Sequence, residues 1–410
     1  MRPINLSQPV PANIRFYQIT QWPVWMLPFR PYFLAAGLLA FSSIGYWLLI
    51  LTGSATWQLT IPATLWHAHE MLFGFAGVVA VGFLLTAAQT WTGVPSISGK
   101  KLMLLTLLWL GARGAFFVSL PAFAQFNLYA VLVLQLAWWL GVIAALANML
   151  LTAKSKNNYQ FLVLLAALCT LNIVYLALLI EQNMQFALAI VDTAVLLMTL
   201  LIGIVAGRVL PFFTSKGLGL TAQVRTANVD SVLLYMSVFS IVVFFLSQLF
   251  FNQLNPGWAL AVVAVLHLIR SFYWWDKNVL KVPLLWSLHF SYLALGVGLM
   301  LVAVSFYSSV ILFKDALHLI TISTIGMMIL AMMTRVSHGH TGRSLTIPHY
   351  MAVAFALVLV AGITRSLLPF VIGPHLAWQL SAGLWLIAFL LFLIHCTPIL
   401  TQRRVDGRRG

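Results

Sequence analysis

The stretch Trp66-His67-Ala68-His69-Glu70-Met71 runs straight into an apolar segment at 72–88. A helix needs roughly 20 apolar residues to cross the hydrocarbon of a bilayer, and this segment supplies them. Two imidazoles and a carboxylate at its head are costly there, and ionisable groups at membrane depth mark function. Imidazole also ligates haem iron, copper and zinc. The stretch therefore predicts a membrane helix that carries part of a metal or cofactor site.

Similar apolar runs recur along the whole chain. Twelve stretches are long enough to span: 32–52, 63–89, 102–121, 126–150, 160–181, 185–207, 231–252, 257–273, 283–304, 310–333, 350–370 and 375–397. Composition agrees. Of 410 residues 62% are hydrophobic and 7% charged, against about 25% charged in a soluble domain. The expected fold is an all-α membrane protein with about 12 transmembrane helices in one bundle, embedded in a lipid bilayer. An N-terminal arm at 1–31 precedes the membrane domain at 32–397, and a basic tail follows at 398–410. The longest internal loop is expected at about 208–230, and the sequence displays no clear internal repeat.

The net charge is +15, from 22 basic and 7 acidic residues. With the N-terminus inside, all the cations except Arg113, Lys314 and Arg365 fall on cytoplasmic segments. That bias follows the positive-inside rule and predicts both termini in the cytoplasm. The cations form no basic stripe interleaved with aromatic residues, so no nucleic-acid partner is expected. The arm is proline-rich and has no apolar core ahead of Tyr32, unlike a secretory signal. Trp22 and Trp25 suit a resting place at the membrane interface. Cys169 and Cys396 lie apart, and no CxxCH motif is present, so a haem would be held without covalent attachment.

The predicted topology puts His67 and His69 one to two turns below the outer interface. Two positions on a regular helix is about 200°, so the two imidazoles face different directions, whereas His67 and Glu70 share a face. Either histidine is open to the ligand role. His318, in the tenth helix, enters from the same side to a similar depth. Facing imidazoles on separate helices can hold a b-type haem in a slot built by Met and Phe residues such as Met71, Phe73, Phe75, Met327 and Met328. His289, His340, His338 and His267 form a second, inner group suited to copper, a second haem or proton relay. Arg208 and Arg335 end long helices on the inner side. They either complement the helix dipole or, with Arg343, pair with haem propionates. Asp192 lies within the sixth helix as a proton carrier or a hydrogen-bonded structural acid. Gly203 and Gly207 form a GxxxG pair suited to close helix packing. Phosphate-binding G-x-x-x-x-G-K-[ST], HExxH and G-x-S-x-G motifs are missing.

Several motifs together resemble the NnrS family. They are Trp66-His67-Ala68-His69-Glu70-Met71-Leu72-Phe73-Gly74-Phe75, Gly82-Phe83-Leu84-Leu85-Thr86-Ala87 with Trp91-Thr92-Gly93, and Arg208-Val209-Leu210-Pro211-Phe212-Phe213-Thr214. Further matches are Pro283-Leu284-Leu285-Trp286 with His289, Ala316-Leu317-His318, and Arg335-Val336-Ser337 continuing to Gly339-His340-Thr341-Gly342-Arg343. The resemblance implies a twelve-helix protein of the bacterial cytoplasmic (inner) membrane that contains haem b and copper and is linked to nitric oxide and nitrosative stress. By motif it carries over His67, His69, His289, His318 and His340 as cofactor and metal ligands. His338 stands where the family pattern is usually apolar. The helix plan also resembles haem-copper oxidase subunits, but their sixth-helix copper motif is missing. An oxygen- or NO-reducing binuclear centre of their type is therefore not expected.

Three functions compete. One is a haem-binding membrane protein acting on nitric oxide or another small diatomic ligand. The second is a redox enzyme with two metal centres supplied by quinol. The third is a histidine-lined transporter of ions or metals. The first predicts loss of haem on replacing His69 or His318 by Ala, and a tightly bound chromophore separates the first two from the third.

Overall fold

A computed structural model describes residues 16–59, 61–118 and 125–408. The cations Arg2, Arg15 and Arg409, and the first half of the arm at 1–31, lie outside the described residues. Twelve long helices follow one another: α1 Phe29–Leu51, α2 Ala63–Thr92, α3 Lys100–Ala115, α4 Phe126–Thr152, α5 Tyr159–Ile180, α6 Met184–Leu218, α7 Ala227–Leu249, α8 Gly257–Trp274, α9 Pro283–Val304, α10 Phe313–His340, α11 His349–Leu367 and α12 Pro374–Thr401. Among the described residues no strand occurs, as expected where backbone groups must pair without water. Eleven of the helices are long and apolar enough to span a bilayer. The exception is α3, whose 16 residues reach about 24 Å against a hydrocarbon core of about 30 Å.

Burial divides the helices into two sets. Within their apolar windows α2, α6 and α10 are 78%, 83% and 83% buried, and α9 follows at 67%. The remaining spanning helices bury less than half. Their exposed faces carry Val133, Val163, Ile394 and Phe272, which is the surface expected against lipid. Sequence neighbours pack side by side through most of the chain, and α12 closes the bundle against α1 and α11. Arg30 ties this closure. It is fully buried in α1 and donates from Nη1 to the carbonyls of Leu400 and Gln402 at 2.9 and 2.7 Å, satisfying the last turn of α12.

Helix ends depart from the sequence expectation in two places. The α6 helix runs through Arg208 and Pro211 to Leu218, so the loop expected at 208–230 shrinks to 219–226. The α10 helix continues through Arg335 and His338 to His340, placing those residues in its last turns rather than beyond it. The GxxxG pair works as expected. Gly203 and Gly207 let α8 approach α6 closely enough for His267 and Arg270 to fill the space that side chains would take.

Gly362 on α11 faces Ser323 on α10, and a Cβ there would stand 2.9 Å from the Ser323 backbone nitrogen. Gly362→Ala is expected to destabilise the bundle by about 1–3 kcal/mol, the range for overpacking a filled site. Gly383→Ala, with nothing within 4 Å, is expected to be neutral or slightly stabilising. Thermal melting of the purified protein in one detergent compares the two.

Candidate cofactor site

Two of the central helices share an irregularity. The α2 helix widens into π turns over Glu70–Ala76, and α10 does so over Leu319–Gly326. In each the widening begins directly after a histidine, His69 or His318. A left-handed glycine follows each helix at the same spacing from its histidine, Gly93 (φ 69) as the cap of α2 and Gly342 (φ 74) just beyond the cap of α10. Wide turns interrupt the regular ladder and recur at functional sites. This local repeat is hidden in the sequence because the residues around the two histidines differ.

Between α2, α6, α10, α11 and α12 lies a cavity of about 750 Å³. That is within the roughly 300–1,000 Å³ typical of ligand sites. His67 and His318 both line it, together with Asp192, and Met71, Phe75 and Trp385 supply apolar wall. His67 stacks on Trp47 with ring centroids 4.8 Å apart, and its buried Nδ1 has no partner in the protein. His318 Nδ1 lies 2.6 Å from the Lys314 carbonyl. A carbonyl only accepts, so Nδ1 carries the proton and Nε2 keeps its lone pair. A metal-binding histidine is commonly held in this way.

Two ion pairs flank the imidazoles. Lys314 Nζ sits 2.6 and 2.7 Å from the two oxygens of Asp192. Asp192 is thus an ion-pair partner rather than an isolated acid. Arg365 pairs with Asp315, and its guanidinium lies 4.7 Å above Trp378. All five side chains line the cavity. Sequence reasoning singled out only Asp192 among them. Lys314 and Asp315 lie a helical turn before His318, and that spacing was a usable signal. Arg365, by contrast, is brought in from a distant helix.

His69 is elsewhere. It is fully buried outside the cavity, with Nδ1 2.8 Å from Glu70 Oε1 and Nε2 3.0 Å from Asn172 Nδ2. The Glu70 carboxylate accepts from Nδ1, and Nε2 accepts from the Asn172 amide. Asn172 Oδ1 in turn accepts from Gln135 at 2.9 Å and from Trp139 at 3.0 Å. Arg113 completes the chain, with Nε 3.1 Å from Glu70 Oε2. Both ring nitrogens of His69 are therefore engaged by neighbours. Arg113, Gln135 and Asn172 escaped the sequence reading because their partners come from three other helices.

The remaining predicted residues lie toward the end of the bundle that carries the C-terminal tail, and they do not converge. His289 Nε2 is 2.9 Å from Thr214 Oγ1, beside Trp275. The His340 ring rests 5.6 Å from Phe29, and its carbonyl accepts from Arg404 at 2.7 Å. Arg404 also grips Asp406, and that hydrogen bond holds the Asp406 carboxyl below its ordinary range. Arg208 donates to Asn158 Oδ1 and the Asn157 carbonyl, and Arg335 lies 3.8 Å over Phe213. The Arg343 backbone donates to the His338 carbonyl at 3.0 Å, but its buried Nη1 has no partner. His338 and His395 form an unforeseen pair, with Nε2 atoms 2.9 Å apart. His338 Nδ1 donates to the Ser344 carbonyl at 2.7 Å, and Tyr350 sits 2.8 Å from His395 Nδ1. Among the described residues no group of three or more His, Cys, Asp or Glu side chains converges as a metal site.

Bundle and cavity together define a polytopic membrane protein with a histidine-lined internal site. The NnrS protein family model matches residues 23–404, nearly the whole chain, and the chain belongs to that family. No individual curated relative matches it.

The His69 network makes its own prediction. Asn172→Leu removes the acceptor for Gln135 and Trp139 and the donor to His69. A loss of about 1–3 kcal/mol is expected for each buried group left without a partner. Thermal melting should fall well below that of Leu171→Ala, at a partly buried position on the same helix.

Proposed function

We propose that this protein is a haem-binding, multi-pass protein of a bacterial cytoplasmic membrane that acts in nitric oxide metabolism or resistance to nitrosative stress. The observation that carries this reading is the convergence of His67 and His318, from two different helices, on one apolar cavity with cations beside it. A b-type haem fits the donor set: His318 keeps Nε2 available, His67 has an unpartnered nitrogen, and aromatic and Met side chains wall the slot. Bound there, it would supply the iron to which nitric oxide or another diatomic ligand coordinates.

The chain's own residues then divide the work. The Lys314 carbonyl orients His318, and Trp47 orients His67 by stacking. Lys314 and Arg365 line the cavity, each paired with a carboxylate, and their remaining N–H groups would donate to the haem propionates. Apolar walls from α2, α10 and α12 exclude water while admitting a small, weakly polar gas from the bilayer. His69 and Glu70 hold α2 in place from its other side. With both termini cytoplasmic, the orientation the charge bias predicts, the cavity lies toward the outer face. Copper is proposed separately. His289 and His340 do not meet, so as a pair they do not fit one copper site. The His338–His395 pair offers two close imidazole nitrogens instead.

Haem content after purification tests this assignment. His67→Ala and His318→Ala are each expected to lower bound haem more than about tenfold, the upper end being set by loss of an axial ligand. His69→Ala should retain haem with an unchanged Soret maximum, though with lower thermal stability. A pyridine haemochrome assay with iron and copper analysis on the same samples decides. Full haem content in both His67→Ala and His318→Ala, or a wild-type protein that takes up no haem, would overturn the assignment and favour the transporter.

A further inference from the structure

A second cavity, of about 830 Å³, runs along the flank formed by α1, α3 and the N-terminal arm. Its rim includes Leu38 and Leu110, which are 53% and 46% exposed on the lipid-facing surface. Trp22 and Trp25 of the arm line one end, with Arg403, and Arg113 and Trp109 line the other part of the wall. Most of the lining is apolar. The buried polar groups on it that lack a partner are all donors. Arg113 is only 9% exposed, and its Nη1 and Nη2 have no acceptor; neither do Nε1 of Trp109 and Nε1 of Trp25. The hydroxyl protons of Thr106 and Ser42 are used on their own helices. The wall thus holds unmatched donors, and buried donors without partners call for an explanation.

An acceptor is what these donors lack, and charge narrows its identity. Arg113 is already paired with Glu70, 3.1 Å from Nε. The pair sums to zero, and a second anion would meet the Glu70 carboxylate at close range. A neutral carbonyl meets no such repulsion. The Arg113 guanidinium is held 4.7 Å over the Trp109 ring, beside an otherwise apolar lining. A planar head bearing carbonyl oxygens and attached to a long apolar tail matches all three features. We propose that this lateral groove binds a membrane quinone, with a head carbonyl accepting from Arg113 and the tail lying along α1 and α3. A phospholipid matches less well, since its phosphate belongs at the interface near Arg403 and its acyl end offers Arg113 nothing. Through Glu70, Arg113 connects to His69 on α2, the helix that also presents His67 to the cofactor cavity. Quinone binding does not depend on the haem assignment.

Titration of the quinone-free, full-length protein in detergent with decylubiquinone, followed by tryptophan quenching, tests the site. Saturable quenching is expected for the wild type. Arg113→Met should weaken it at least tenfold. Because that variant also strips Glu70 of its partner, Ala35→Phe is the second arm: it fills the groove from α1 without touching the ion pair. It should weaken binding by a similar factor while melting temperature and haem content stay at wild-type values. Arg403→Gln should bind as the wild type. Unsaturable quenching, or equal affinity in wild type and Ala35→Phe, would overturn the proposal. So would loss on Arg403→Gln with Arg113→Met unaffected, which assigns the groove to a phospholipid. A protein that binds no haem yet shows saturable quinone binding would sink the haem reading alone.

Discussion

Three helices of this bundle have almost no lipid-facing surface, and the rest of the molecule follows from that. Hydrocarbon offers no hydrogen bonds, so every polar side chain at membrane depth must turn inward and find a partner there. Such groups collect on α2, α6 and α10, which are the most buried spans. Around them the outer helices can be apolar toward lipid and need little specificity. The central helices instead carry Glu70, Asp192, Arg335 and half of the ten histidines. Each of the carboxylates is closed by a cation from another helix.

The neighbours packed against each wide-turned helix set what each histidine does. A regular helix keeps a fixed angle between neighbours, so that His67 and His69 must diverge. In the structure that divergence is resolved by the partners available on either side of α2. Toward α10 and α12 there is space and an apolar wall, and His67 meets it. Toward α3, α4 and α5 there are Arg113, Gln135, Trp139 and Asn172, and His69 is enclosed by hydrogen bonds. His318 stands in the same register as His69 in the local repeat, yet it lines the cavity. Equal register does not carry an equal role, because the neighbours, not the helix, decide which lone pairs remain free.

Much of the architecture was legible before any coordinates. Hydropathy alone located all twelve helices, because a span is a local property of about 20 consecutive residues. The one shortfall, α3, arises where the apolar run outlasts the helix. Helix ends were less legible: α6 and α10 continue past cationic and Pro-containing segments that look like loop. Arg208 and Arg335 lie against aromatic rings and carbonyls there, which lets charged residues extend a helix beyond the apolar core. Pairings between helices were not legible. Arg365 with Asp315, Arg113 with Glu70, and His338 with His395 join residues 43 to 57 positions apart, with no periodic signal linking them.

By itself, the sequence determined that the chain is a polytopic helical membrane protein, that costly histidines stand at the heads of two of its helices, and that its motifs match one family along nearly its full length. Those properties are local, or sums over local properties. Only the tertiary structure decided that His67 rather than His69 joins His318 at the cavity. It alone brought Lys314 and Arg365 beside them and left the donors of Arg113 unmatched along a lipid-facing groove. The reason is physical: whether a ring nitrogen or a guanidinium is free depends on the donors and acceptors within about 3 Å of it, and those come from helices far away in the chain.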